Sequence, residues 1–138
     1  NNIGNLVTLT DNDLSKIKNA LTVTKIVEPY VEIELLSIEP ENNSTNVEID
    51  AKIVLNFSKK MYSKTGGIIV LKNTLNNTII ERININSSQV SGSGSNTIII
   101  TPGNLFEKIT QYTVTIPKTT FYDKQQKYYK GLTISFAT

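Results

Sequence analysis

A chain of 138 residues with a net charge of +2 has room for one domain, or for a domain of about 100 residues with an appendage. It contains neither cysteine nor histidine, which excludes disulfides, thiolate metal centres and histidine-ligated zinc. Of its fourteen basic residues only Arg82 is an arginine, which argues against nucleic-acid reading, a task that leans on bidentate guanidinium contacts.

No apolar run approaches the roughly 18 residues that a membrane span needs. The opening NNIGNLVTLT has no basic n-region and no apolar h-region, so it does not read as a signal peptide; the chain is expected to be intracellular, or a mature piece or fragment. Asn, Thr and Ile dominate. Ile and Thr are β-branched and favour strands, and Asn favours turns, so composition points to an all-β fold.

In chain order, Val7 to Thr10 reads as a short strand. Thr10, Asp11, Asn12 and Asp13 then offer helix caps before a run in which Leu14, Ile17 and Leu21 share one helical face, so a short helix is expected. Leu21 to Val27 alternates until Pro29 interrupts it. Residues 1–30 are thus read as an N-terminal segment or the tail of a preceding module, and 31–138 as a domain. Within that domain seven strands are expected: Val31 to Ile38, Ala51 to Phe57, Ile68 to Lys72, Ile79 to Ile85, Thr97 to Thr101, Gln111 to Ile116 and Leu132 to Phe136. Gly66-Gly67, Asn76-Asn77, a flexible loop at Ser91 to Asn96, and Pro102-Gly103 punctuate them. Strands alternate: Ile53, Leu55 and Phe57 on one face, Tyr112, Val114 and Ile116 likewise, each burying apolar area at about 25 cal/mol per Å². Short strands at this spacing with turns between them predict a seven-stranded immunoglobulin-like β-sandwich.

Particular residues carry a closer likeness. Ile38-Glu39-Pro40, Asn46-Val47 and the strand ending Phe57-Ser58-Lys59-Lys60-Met61 resemble the opening of bacterial Ig-like domains of the S-layer type. Asn96 to Pro102 is similar to that family's N-T-L-T-F-T-P, Tyr112 to Ile116 to its Y-T-V-T-V, and Phe136-Ala137-Thr138 to its closing F-x-T. The ordered set covers about residues 36–138. Two positions depart from the pattern. Tyr62 stands where the family has Asp, and D-x-x-G-N has become Asp123-Lys124-Gln125-Gln126-Lys127, which keeps the acid and loses the Gly-Asn turn. The resemblance implies a spacer or docking module, in tandem with others, in bacterial surface-layer proteins, adhesins or secreted enzymes. Tyr112 is also placed to act as a tyrosine corner, and Met61 to fill an irregular gap.

Candidate sites are few. Seven carboxylates and no cation lie between Glu28 and Asp50, and Glu39, Glu41 and Asp50, with Glu48, flank one loop where oxygen ligands could hold Ca²⁺. The alternative is a solvated acidic loop, since EF-hand spacing is absent. Tyr122, Lys127, Tyr128 and Tyr129 form a basic, aromatic segment suited to stacking on sugar rings or to protein contact, unless Tyr128 or Tyr129 packs inward. Ser58 has no histidine to activate it, and no catalytic constellation is found, so the chain is not expected to be an enzyme. The topology would gather Lys59, Lys60, Lys64, Lys124, Lys127 and Lys130 at one pole and Glu39, Glu41, Glu48 and Asp50 at the other, with Glu32 and Glu34 near the basic one. The expected role is a structural or adhesive module, extracellular or at the cell surface, whose partners are neighbouring modules or other surface proteins. A carbohydrate-binding accessory domain of a secreted hydrolase, contacting glycans, is the alternative, and an intracellular docking domain a third.

Overall fold

The computed structural model describes Asp11, Asn12 and residues 29–138. Asp11 and Asn12, expected as caps, are themselves helical. The expected strand at 7–10, the helical face of Leu14, Ile17 and Leu21, and the alternating run at 21–27 lie outside the described residues. The chain divides into two units, Asn1–Val31 and Glu32–Thr138, and the second is a β-sandwich.

Nine strands occur among the described residues: β1 (Leu35–Glu39), β2 (Ile53–Ser63), β3 (Ile68–Asn73), β4 (Thr78–Asn84), β5 (Val90–Ser91), β6 (Ser95–Ile100), β7 (Gln111–Ile116), β8 (Phe121–Tyr122) and β9 (Leu132–Ala137). One sheet has the order β1-β2-β6-β5, with β8 added to β2; the other runs β4-β3-β7-β9. All pairings between these strands are antiparallel. The seven expected strands are all present. The two further ones, β5 and β8, span two residues each, too short to show an alternation in sequence. The first strand begins at Leu35 rather than Val31, and a bulge at Leu36 interrupts its register with β2.

The period of two decides what is buried. Ile53, Leu55 and Phe57 of β2 and Ile98 and Ile100 of β6 face Ile69 and Leu71 of β3, Ile83 of β4, Val114 and Ile116 of β7, and Ile134 and Phe136 of β9. The alternate residues of these strands point outward, as sheets packed on one face require. At one end of the core, the Tyr112 hydroxyl accepts a hydrogen bond from the Glu107 N–H at 2.7 Å while its ring packs against Phe106 and Phe136. This is the expected tyrosine corner, tying the loop before β7 to the strand itself.

Two local features shape the end of the sandwich where β2 meets β8. Between Asn56 and Met61 the register of β2 against β6 slips, leaving Ser58, Lys59 and Lys60 as additional residues on β2. The bulge bends the strand and turns its end to β8, where Tyr62 pairs Tyr122 and Ser63 pairs Phe121. The loop from Ser91 to Asn96, expected to be flexible, is instead clasped to this same end. Gly94 N–H donates to the Met61 carbonyl at 2.6 Å, and Ser63 N–H to Ser93 Oγ at 3.1 Å. Gly92 makes the turn at φ 96°, where a Cβ would stand 1.9 Å from the Thr97 carbonyl oxygen.

Candidate functional site

The segment from Phe121 to Lys130 is built around one carboxylate. Asp123 is fully buried. Its Oδ2 accepts from Lys59 Nζ at 3.0 Å, and its Oδ1 from the backbone N–H groups of Gln125 (2.9 Å) and Lys127 (3.0 Å). The backbone closes the same turn, with Asp123 N–H donating to the Lys127 carbonyl and Gln126 N–H to the Asp123 carbonyl, both at 2.9 Å. Gln126 consequently adopts φ 63°, in the left-handed region. The turn closes here without glycine: the buried acid and its lysine hold it.

That turn distributes the three tyrosines in different ways. Tyr129 is 4% exposed and packs edge-on against Phe57 at 5.1 Å, with its N–H bound to the Phe121 carbonyl. It is therefore corrected from a candidate ligand contact to a core residue: along the segment its side chain alternates inward, and burial raises its phenol pKa above the ordinary value. Tyr128 is 47% exposed, and Tyr122 is half-buried and bridged to it in antiparallel fashion. Their rings stand nearly upright to each other, 6.2 Å apart at 66°. Tyr62 lies on the other side of Tyr122, stacked at 5.7 Å and 30°. Lys64, Tyr122, Gln126 and Tyr128 line a shallow pocket of about 170 Å³ at this corner. Lys127 is exposed on the same turn.

Tyr62, Lys64 and Gln126 were not among the residues singled out from sequence for binding. Tyr62 was visible only as a departure from the family's Asp. Its neighbour Tyr122 is 60 residues away in sequence, and the bulge that aims β2 at β8 has no signature beyond a break in alternation at Lys59-Lys60.

The acidic residues occupy the opposite pole. Glu39, Glu48 and Asp50 line a wide depression together with Lys52; Glu41 is exposed beyond it. Among the described residues no three acidic side chains converge closely enough to hold an ion. The carboxylates are spread along a loop whose backbone is fastened elsewhere, Asn43 N–H to the Ser135 carbonyl at 2.6 Å and Val47 N–H to the Ala137 carbonyl at 3.0 Å. Ser58 Oγ accepts a hydrogen bond from Glu34 N–H at 2.9 Å, which occupies the hydroxyl in pairing β2 with the chain before β1.

No curated protein matches the chain. Among solved structures, CopC from Methylosinus trichosporium OB3b is similar with a TM-score of 0.54 at 10% sequence identity, over 76% of this chain and 91% of CopC. The S-layer protein rSbsC(31-844) is similar with a TM-score of 0.50 at 15% identity, over 92% of this chain. At these identities the likeness is one of fold, and the chain spans 16% of that S-layer protein's length. The sequence profile of the bacterial Ig-like domain matches residues 30–138, the stretch that holds every strand described above, and the chain belongs to that family.

Proposed function

We propose that the chain is a non-enzymatic structural module, a spacer or docking unit of a larger cell-surface or secreted protein, that stacks on neighbouring modules. The observation that carries this reading is the path of the backbone through the sandwich. The chain approaches β1 at the lysine-rich pole, where Ser58 N–H donates to the Glu34 carbonyl at 2.8 Å. β9 runs to the opposite pole, where Thr138 N–H donates to the Thr110 carbonyl at 3.0 Å. A module threaded from one pole to the other sets its neighbours in line, one module length apart. The poles also differ in charge, with Lys60, Lys64 and Lys124 at one and Glu39, Glu41 and Asp50 at the other. Glu32 and Glu34 partly offset the basic side. Such poles favour head-to-tail stacking through modest, salt-screened attraction. Membership of the bacterial Ig-like family, and the presence of a stretch of this fold in an S-layer protein, support a surface setting.

Small-angle scattering from a direct tandem of two full chains, at low and at high salt, tests the proposal. The expected result is an extended particle, longer than the single chain by about one module, with tighter interdomain order at low salt. A tandem that folds back on itself refutes the spacer reading. Identical interdomain order at both salt concentrations refutes the charged-pole contact.

A further inference from the structure

We propose that the aromatic corner of Tyr122 and Tyr128, with Tyr62 stacked behind Tyr122, is a saccharide-binding site that takes a pyranose bearing a carboxylate, the ring lying on a tyrosine face and the acid turned toward Lys64. The proposal does not depend on the spacer reading.

Four observations lead to it. The core at this end is already filled by Phe57, Phe121 and Tyr129, so Tyr122 and Tyr128 keep phenol surface at the solvent boundary that packing does not require. The rings form a corner rather than a flat patch: Tyr122 is stacked with Tyr62 at 30° and crossed by Tyr128 at 66°. One wall can stack on the C–H face of a sugar while the other closes its edge. At about 170 Å³ the pocket falls below the roughly 300–1,000 Å³ of a drug-sized site, which suits a single ring of a longer polymer lying across the surface. Its polar lining is the Gln126 amide, the tyrosine hydroxyls and the Lys64 ammonium, which can donate to and accept from ring hydroxyls and neutralise an acid.

The corner is also held before any ligand arrives. The Asp123 carboxylate fixes the backbone of Gln125 and Lys127 on either side of Gln126, and the antiparallel bridge between Tyr122 and Tyr128 sets the two rings. Preorganisation of this kind lowers the ordering cost of binding. Exposed Lys124 and Lys127 lie on the same turn as Gln126, so an anionic sugar is favoured over a neutral one.

The test is a titration of the full chain with trigalacturonate and, separately, with maltotriose, followed by ligand-observed saturation-transfer NMR and by tyrosine fluorescence. The acidic trisaccharide is expected to bind, with transfer to its ring C–H protons. Tyr128→Ala should weaken it about tenfold, as the loss of one stacking ring implies. Lys64→Gln should reduce the preference for the acidic sugar severalfold. Circular-dichroism melts establish that both variants are folded; their exposed positions predict native-like transitions. No binding of either sugar at millimolar concentration overturns the proposal. So does an affinity that Tyr128→Ala leaves within about twofold. Equal binding of polyglutamate or oligothymidylate, which would reduce the site to a general anion or base-stacking surface, overturns it as well.

Discussion

Removing the carboxylate of Asp123 should destabilise the sandwich more than any exposed charge could. The side chain is fully buried and serves three donors, Lys59 Nζ at 3.0 Å and two backbone N–H groups at 2.9 and 3.0 Å. Removing one partner of a buried ion pair costs about 3–5 kcal/mol. The Lys59 side chain is 22% exposed, so water recovers part of its loss, and about 3 kcal/mol is the figure for Asp123→Ala. Asp123→Asn retains an oxygen for the two backbone donors and gives up the charge, so about 2 kcal/mol is expected. At roughly 4–8 °C per kcal/mol for a domain of this size, alanine should lower Tm by about 12–24 °C, with asparagine between it and the native chain. The assay is urea and thermal unfolding followed by circular dichroism, repeated for Lys59→Met and for Asp123→Asn with Lys59→Met together. The double variant should be less destabilised than the sum of the singles, by about 0.5–3 kcal/mol. If Asp123→Ala costs less than about 1 kcal/mol, or the two changes add without coupling, the carboxylate is not what holds this turn.

Tyr112→Phe keeps the ring among Phe106 and Phe136 and deletes only the acceptor for Glu107 N–H; a loss of about 1–2 kcal/mol is expected by urea denaturation, and an unchanged midpoint would remove the tyrosine corner from the account. Gln126→Gly relieves a left-handed φ of 63° and should stabilise the chain by up to about 1 kcal/mol despite the greater freedom of glycine when unfolded; a lowered Tm contradicts the strain argument. Burial raises the Tyr129 pKa, so its contribution is complete below about pH 10, where folded and unfolded chains both hold the proton, and is lost as pH rises through the folded value. Alkaline titration of stability should therefore steepen above about pH 10, and Tyr129→Phe should flatten it; the same slope in both proteins rules the residue out as the cause.

Much of the fold was legible because period-two alternation is a local property. Ile53, Leu55 and Phe57, or Tyr112, Val114 and Ile116, announce a buried face without reference to any partner. The same holds for the glycines and asparagines that mark the turns, and for Tyr112 just inside a strand. The candidate site was less legible. Tyr128 and Tyr129 are adjacent and alike in sequence, yet one faces solvent and the other packs on Phe57, because the direction of each depends on how the Asp123 turn enters β9.

Sequence by itself determined the class of fold, the order of seven strands and the family, since side-chain alternation and turn chemistry are written residue by residue. The tertiary structure alone decided that Lys59 and Asp123, 64 residues apart, form a buried pair, and that a bulge swings Tyr62 against Tyr122. Contacts of that kind arise when distant segments meet in three dimensions, and no local pattern records which partner a side chain will find.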